Sequence, residues 1–169
     1  MTKVKCRRLV VRYQGLFDFE GLYHHIVEFF ESRYYDYIEK KWKEKDFSPL
    51  GRERVIKMAP EKNLTEYFKA EYAILWNNMD VHTVEVVRDG KTVELTWARF
   101  ELTIDAHIEV DWQQLGKNRP KTTKLFNEKV IKREISEKYA EDLILEEQRF
   151  ADEVKSFLHM EVTRLDKTV

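Results

Sequence analysis

The chain has 169 residues, of which 43% are hydrophobic and 13% aromatic, a composition typical of a folded globular protein. Its 30 basic and 31 acidic residues nearly cancel, so net charge gives no argument for binding nucleic acid or an anionic membrane. The single cysteine, Cys6, excludes an internal disulfide and is consistent with a reducing compartment.

The length favours one domain over residues 1–169. No secretory signal is recognised at the N-terminus, and no apolar run is long enough to cross a bilayer. We therefore expect a cytoplasmic protein with no membrane span.

The N-terminal part is expected to form a strand and then a long helical region. Residues 4–13 have strand character, and Asp18 is a suitable N-cap. Beyond it, apolar residues recur at spacings of three and four as far as Trp42, which is typical of an amphipathic helix. The helical region is predicted over residues 18–45, either continuous or broken near Ser32.

The middle of the chain is expected to form an antiparallel meander. The predicted strands and turns are a strand at 52–59, a turn at 60–63, a strand at 66–76 and a turn at 77–78. Asp89 and Gly90 form the preferred pair for a tight hairpin turn between two β-rich segments. The apolar alternation changes phase after Trp97, which predicts a β-bulge or bend near residues 98–99.

The most regular pattern is FELTIDAHIEVDW at residues 100–112. Apolar and polar residues alternate throughout, so the apolar side chains from Phe100 to Trp112 share one face of a strand. One face should be buried and the other solvated, as in an antiparallel sheet.

The C-terminal part is expected to contain a polar loop at 113–123, a returning strand at 124–135 and a second helix over 136–159. Ser136 is the predicted N-cap of this helix. Its predicted apolar face consists of Tyr139, Leu143, Phe150, Val154, Phe157 and Leu158.

This order of elements resembles the helix-grip architecture of START-like and polyketide-cyclase-like proteins, in which a curved sheet wraps around the last helix. The resemblance covers nearly the whole chain and concerns element order alone, without a diagnostic motif. It is carried by VVRY at 10–13, the helix after Asp18, the hairpin at Asp89–Gly90, the strand at 100–112 and the helix after Ser136.

The expected fold is α+β: a curved antiparallel sheet of about six strands, packed on a long N-terminal helical region and a long C-terminal helix. The resemblance also implies a cavity for a hydrophobic ligand between the sheet and the last helix, without specifying the ligand.

Aromatic residues on the predicted inner faces are the first candidate site. Tyr72, Trp76, Trp97 and Phe100 are the predicted ligand contacts, although the same rings also suit a hydrophobic core. The leading hypothesis is non-catalytic binding of a hydrophobic small molecule or lipid, with no cofactor.

Two alternatives remain open. The first is an interaction or assembly subunit without a ligand, possible as a homo-oligomer, in which the edge of the long strand pairs with another chain. The second is a metal-assisted enzyme that uses Asp105, His107 and Glu109, which recur on one strand face. The competing interpretation of that face is a solvated surface paired with Lys or Arg across the strands.

Overall fold

The computed structural model describes residues 2–48, 51–88, 90–113 and 135–166. Within these residues, seven strands form one antiparallel sheet and two α-helices are present. The strands are β1 (Thr2–Lys5), β2 (Leu9–Phe17), β3 (Glu39–Ser48), β4 (Gly51–Met58), β5 (Glu61–Asn63), β6 (Phe68–Arg88) and β7 (Lys91–Val110). The helices are α1 (Phe19–Glu31) and α2 (Glu141–Asp166), and a π-helical turn, Ile135–Ala140, leads into α2.

The sheet is antiparallel and unclosed, with the order β1-β7-β6-β4-β3. β2 pairs with β7 beyond β1, so β1 and β2 act as one interrupted strand, while β5 pairs with β6. Strand β7 pairs with β6 on one side and, from Thr96 to Val110, with β1 and β2 on the other, so this part of its edge is not free for another chain. The antiparallel sheet and the C-terminal helix that the sequence predicts are confirmed. No helix among the described residues is long and apolar enough to span a membrane.

The alternation at residues 100–112 has the predicted structural meaning. The even-numbered residues from Phe100 to Val110 are buried, whereas the odd-numbered residues between them are partly exposed. The strand ends at Val110, and Asp111 then adopts a positive φ of 55°. The sequence therefore predicts a strand that is two residues too long, and Trp112 lies beyond the end of β7.

The long N-terminal helical region is not present. Helix α1 begins after the predicted N-cap Asp18, whose side chain accepts a hydrogen bond from the Gly21 N–H, but it ends at Glu31. Residues 39–48 form β3, an outer strand paired with β4. The spacing of three and four residues that predicts a helix as far as Trp42 does not reflect a helix here. Trp42 lies on strand β3 and is apolar because its ring contacts those of Phe19 and Tyr23. Pairing with β4 overrides the local helical pattern.

The predicted turn at 77–78 is also wrong, because β6 continues through it to the hairpin at Gly90. The β-bulge expected near residues 98–99 is present, but the additional residue belongs to β6, the strand that pairs with β7 there. Asp80 and Val81 of β6 lie opposite Ala98 of β7, which itself pairs without interruption with β2.

The remaining differences lie outside the central strands. Residues 61–63 form a short strand where the sequence predicts a turn. Ser136 lies within the π-helical turn and does not cap α2, which continues to Asp166. The strand predicted at 124–135 falls outside the described residues except for Ile135, which begins the π-helical turn, and most of the loop predicted at 113–123 also falls outside them.

The core lies between the buried face of the sheet and the two helices. Phe150 of α2 packs against Phe29 and Phe30 of α1, with ring centroids 4.9 Å apart in both pairs. Phe30 in turn contacts Tyr72 of β6 at 5.1 Å. One aromatic cluster therefore joins α1, α2 and the sheet.

Candidate functional site

Three of the four predicted ligand contacts lie on the buried face of the sheet. Tyr72 and Trp76 are fully buried, and Phe100 contacts Trp76 with ring centroids 5.6 Å apart. Trp97 has the opposite phase on β7 and lies on the other face, where its ring is 6.1 Å from that of His82. The structure therefore places Tyr72, Trp76 and Phe100 towards the helices, and Trp97 away from them.

These three rings are packed as part of the core. Trp76 lies 4.9 Å from Phe19, and Phe100 lies 5.8 Å from Phe17. A molecule that reaches these rings must enter between the sheet and the helices.

The acidic face of β7 is neutralised by basic residues on β1, β2 and the segment between them. Arg8 donates two hydrogen bonds to Asp105, at 2.8 and 2.9 Å. Arg12 of β2 donates a 2.7 Å hydrogen bond to Glu101, and Lys3 of β1 lies 2.9 Å from Nε2 of His107. This arrangement confirms the interpretation of a cross-strand paired surface. Among the described residues, no group of three or more His, Cys, Asp or Glu side chains could hold a metal ion.

A polar cluster that the sequence did not reveal ties α2 to the rest of the fold. The Tyr35 hydroxyl donates a 2.6 Å hydrogen bond to Oε2 of Glu146, and the Tyr72 hydroxyl lies 3.4 Å from the same oxygen. Arg33 Nε lies 3.7 Å from Oε1. Burial, and then the charge of Glu146, raises the pKa of Tyr35. Burial, then the neighbouring Tyr35 and then Glu146, raises the pKa of Tyr72. Both hydroxyls consequently remain protonated donors at neutral pH.

Glu147, the next residue of α2, is the most unusual group in the site. Its side chain is only 1% exposed, and its Oε1 has no hydrogen-bond partner among the residues that the structure describes. Burial, and then the negative charge of Asp105, raises the pKa of Glu147 to about 7. A hydrogen bond with the backbone of Ala106 has the opposite effect and lowers this pKa, but it is the smaller contribution. The carboxyl is therefore poised between its neutral and charged forms near pH 7.

Glu147 faces the sheet where the pairing of β7 is interrupted between β1 and β2. Lys5 pairs with His107 and Leu9 with Ile104, so three residues of one strand lie opposite two of the other. The ladder is irregular at this point, and the backbone of Ala106 is available to Glu147.

Cys6 lies in the same interruption, where its N–H donates to the Ala106 carbonyl at 2.9 Å. Burial, and then the charge of Glu147, raises the pKa of the Cys6 thiol to about 11. The thiol is therefore protonated at neutral pH and a poor nucleophile.

A second buried polar group lies elsewhere on the same sheet face. Asn78 is fully buried, and its Oδ1 accepts a 2.9 Å hydrogen bond from the Trp76 indole N–H. Its Nδ2 has no hydrogen-bond partner in the described part of the chain. Among the described residues, the inner face thus carries one unpartnered acceptor, on Glu147, and one unpartnered donor, on Asn78.

The sequence contains a pattern that indicates burial of Glu147, although the predicted apolar face of α2 does not include this residue. The predicted apolar face advances by four residues from Tyr139 to Leu143 and then by seven to Phe150. The missing position of this stripe is residue 147. A carboxyl in the middle of an otherwise apolar helix face marks a buried titratable group.

An apolar enclosure with a few convergent polar groups is the usual composition of a small-molecule site. In comparisons with known proteins, the chain matches no family model and no curated sequence.

Proposed function

We propose that the chain binds a hydrophobic small molecule or lipid between the sheet and α2, without catalysing a reaction, in a START-like helix-grip arrangement. The observation that carries this proposal is the unpartnered Glu147 oxygen, enclosed where α2 packs on the sheet. Tyr72, Trp76 and Phe100 of the same face provide the apolar contacts.

The energetic argument is that folding alone does not account for Glu147. Burial of a carboxyl without full hydrogen bonding is unfavourable, by an amount on the order of several kcal/mol for the charged form. Leucine at this position would continue the apolar stripe of α2 without that cost. Departures of this kind from a consistent core are concentrated at functional sites.

The ligand has to enter by displacement of α2, because the rings of the inner face are packed when the helix is docked. Beside its apolar face, α2 is held by hydrogen bonds and ion pairs from Arg33 and Tyr35 to Glu146, and from Arg33 to Glu153 at 3.4 Å. The ion pairs of Arg33 are partly exposed and weak, on the order of 1 kcal/mol or less each, so the buried apolar face of α2 and the Tyr35 hydrogen bond account for most of the cost of displacing the helix.

Native mass spectrometry of the purified chain, compared with the denatured chain, tests the proposal. A bound hydrophobic molecule gives an excess mass that disappears on denaturation. The Phe100→Ala variant should retain less of it, whereas Trp97→Ala, on the opposite face, should retain it fully. A bare chain that also takes up no added hydrophobic compound would contradict the proposal.

The same measurement addresses the alternative of an assembly subunit. Since residues 96–110 of β7 are paired on both sides, a second chain would have to pair with the first residues of β7, 91–95, or with an outer strand of the sheet, such as β3. A mass that is a multiple of the chain mass, without a small molecule, would favour assembly instead.

A further inference from the structure

We propose that Glu147 is the polar anchor of the site, and that its ligand is an apolar molecule whose head group donates a hydrogen bond, as a hydroxyl or an amine does. The inference rests on the proposed function and deepens it by naming the ligand class.

The first step is that the polar groups around Glu147 are already engaged, whereas Oε1 is not. Both oxygens of Asp105 accept hydrogen bonds from Arg8, and Glu146 is engaged by Tyr35 and Arg33. Within the part of the chain that the structure describes, no hydrogen-bond donor reaches Oε1 of Glu147. A ligand donor would satisfy a buried acceptor that the fold leaves open.

The second step concerns which head groups fit. A carboxylate head would add a negative charge beside Glu147, Glu146 and Asp105, and close carboxylates destabilise one another when ionised. A ketone or ester only accepts hydrogen bonds and cannot satisfy the ionised form of Glu147. A hydroxyl donates one hydrogen bond, and an ammonium group adds a favourable charge interaction.

The third step concerns the body of the ligand. Leu143, Phe150 and Val154 surround Glu147 on the buried face of α2, while Ala106 and Ala151 leave the smallest side chains beside it. With α2 docked, Oε1 is enclosed by protein, so the ligand reaches it only when the helix lifts. An apolar chain would then replace the helix contacts, and its head would lie at Glu147.

Isothermal titration of the full chain with decan-1-ol, decylamine and decanoate tests this inference, since the three probes share one chain length and differ in the head group. The titrations are made at about pH 8, above the pKa of Glu147, where the carboxylate accepts but does not donate. Decanol and decylamine should bind at least roughly tenfold more tightly than decanoate, as expected for a hydrogen bond to a charged group.

Variants of Glu147 assign the preference to this residue. Glu147→Leu should remove the preference for decanol and decylamine over decanoate. Glu147→Gln keeps a carbonyl acceptor, so it should still bind decanol but lose the advantage of decylamine. Glu141→Gln removes a carboxyl from the exposed side of the same helix and should leave all three affinities unchanged.

The outcomes separate this inference from the function on which it rests. Equal binding of all three probes, unaffected by Glu147→Leu, would overturn the anchor and leave hydrophobic binding intact. No binding of any probe to the wild-type chain would overturn both. Loss of binding in Glu147→Leu through unfolding is recognised by circular dichroism, and the Glu147→Gln result then decides.

Discussion

The Tyr35 hydroxyl lies 2.6 Å from Oε2 of Glu146 and thereby joins the segment after α1 to the C-terminal helix. Tyr35 is buried and its ring packs against Phe30 and Tyr72 at 5.6 and 5.5 Å. The position of α2 over the sheet thus depends on a hydrogen bond as well as on apolar contact.

The Tyr35→Phe variant should unfold more easily than the wild type. It keeps the ring but removes the donor to a charged acceptor, which is worth about 1–3 kcal/mol. Urea denaturation followed by circular dichroism measures the change. Tyr34→Phe is the matched control, because Tyr34 is 85% exposed, and it should have no effect. Equal stability of the two variants would show that this hydrogen bond does not hold α2.

Replacement of Glu147 by leucine should stabilise the folded chain at pH 8. The variant removes a buried carboxyl with an unpartnered oxygen and continues the apolar stripe, for an expected gain of roughly 2 kcal/mol. Thermal unfolding monitored by calorimetry measures it. A loss of stability would mean that Glu147 has partners that the fold requires.

The raised pKa of Glu147 should make the wild type less stable as the pH increases. The folded pKa is about 7 and the ordinary value is 4.5, so between these values the folded chain holds a proton that the unfolded chain has lost. Stability from this group is fully present below about pH 4.5, decreases up to about pH 7 and is then constant, a change of about 3 kcal/mol.

The difference in unfolding free energy between the wild type and Glu147→Gln isolates this effect from the other carboxyls. The titratable groups near Glu147 are Asp105 on β7, Cys6 before β2 and Tyr72 on β6, and they are common to both chains. The difference should change between pH 4.5 and 7, and a constant difference would contradict the assigned pKa.

The Tyr34→Gly variant should be more stable than the wild type. Tyr34 has a positive φ of 63° at the end of α1, where the N–H groups of Tyr34 and Tyr35 donate to the carbonyls of Glu31 and Phe30. This is the position at which glycine is preferred after a helix, and the gain should be about 1 kcal/mol. Ser32→Gly, at a φ of −62°, should instead be destabilising, as chemical denaturation would show. A destabilised Tyr34→Gly would indicate that the tyrosine makes contacts that outweigh its backbone strain.

The sequence predicts the elements whose local pattern and tertiary environment agree. Residues 100–110 alternate because one face of β7 is buried, and the hairpin at Gly90 follows from the turn chemistry of Asp-Gly. The predicted helix fails beyond Glu31, because the spacing of Trp42 and its neighbours fits a helix as well as an outer strand. Pairing with β4 and the contacts of Trp42 with Phe19 and Tyr23 decide between them, and the periodicity of residues 39–48 contains neither.

The candidate site was predictable only in its apolar part. Alternation placed Tyr72, Trp76 and Phe100 on one face, but it assigned Trp97 to that face on the assumption of an additional residue in β7. The additional residue lies in β6, so Trp97 faces the other way. Glu147 was not predicted, although it occupies the missing position of the apolar stripe of α2, because glutamate on a helix is usually exposed.

The most direct test of the central claim is the location of a bound ligand. Intermolecular nuclear Overhauser effects are measured between the chain of decylamine and the methyl groups of the ligand-saturated protein. We expect contacts with Ala106, Ala151 and Val154, which lie where α2 meets the sheet. Contacts confined to exposed residues such as Val87 on the hairpin would contradict a ligand site between the sheet and the C-terminal helix.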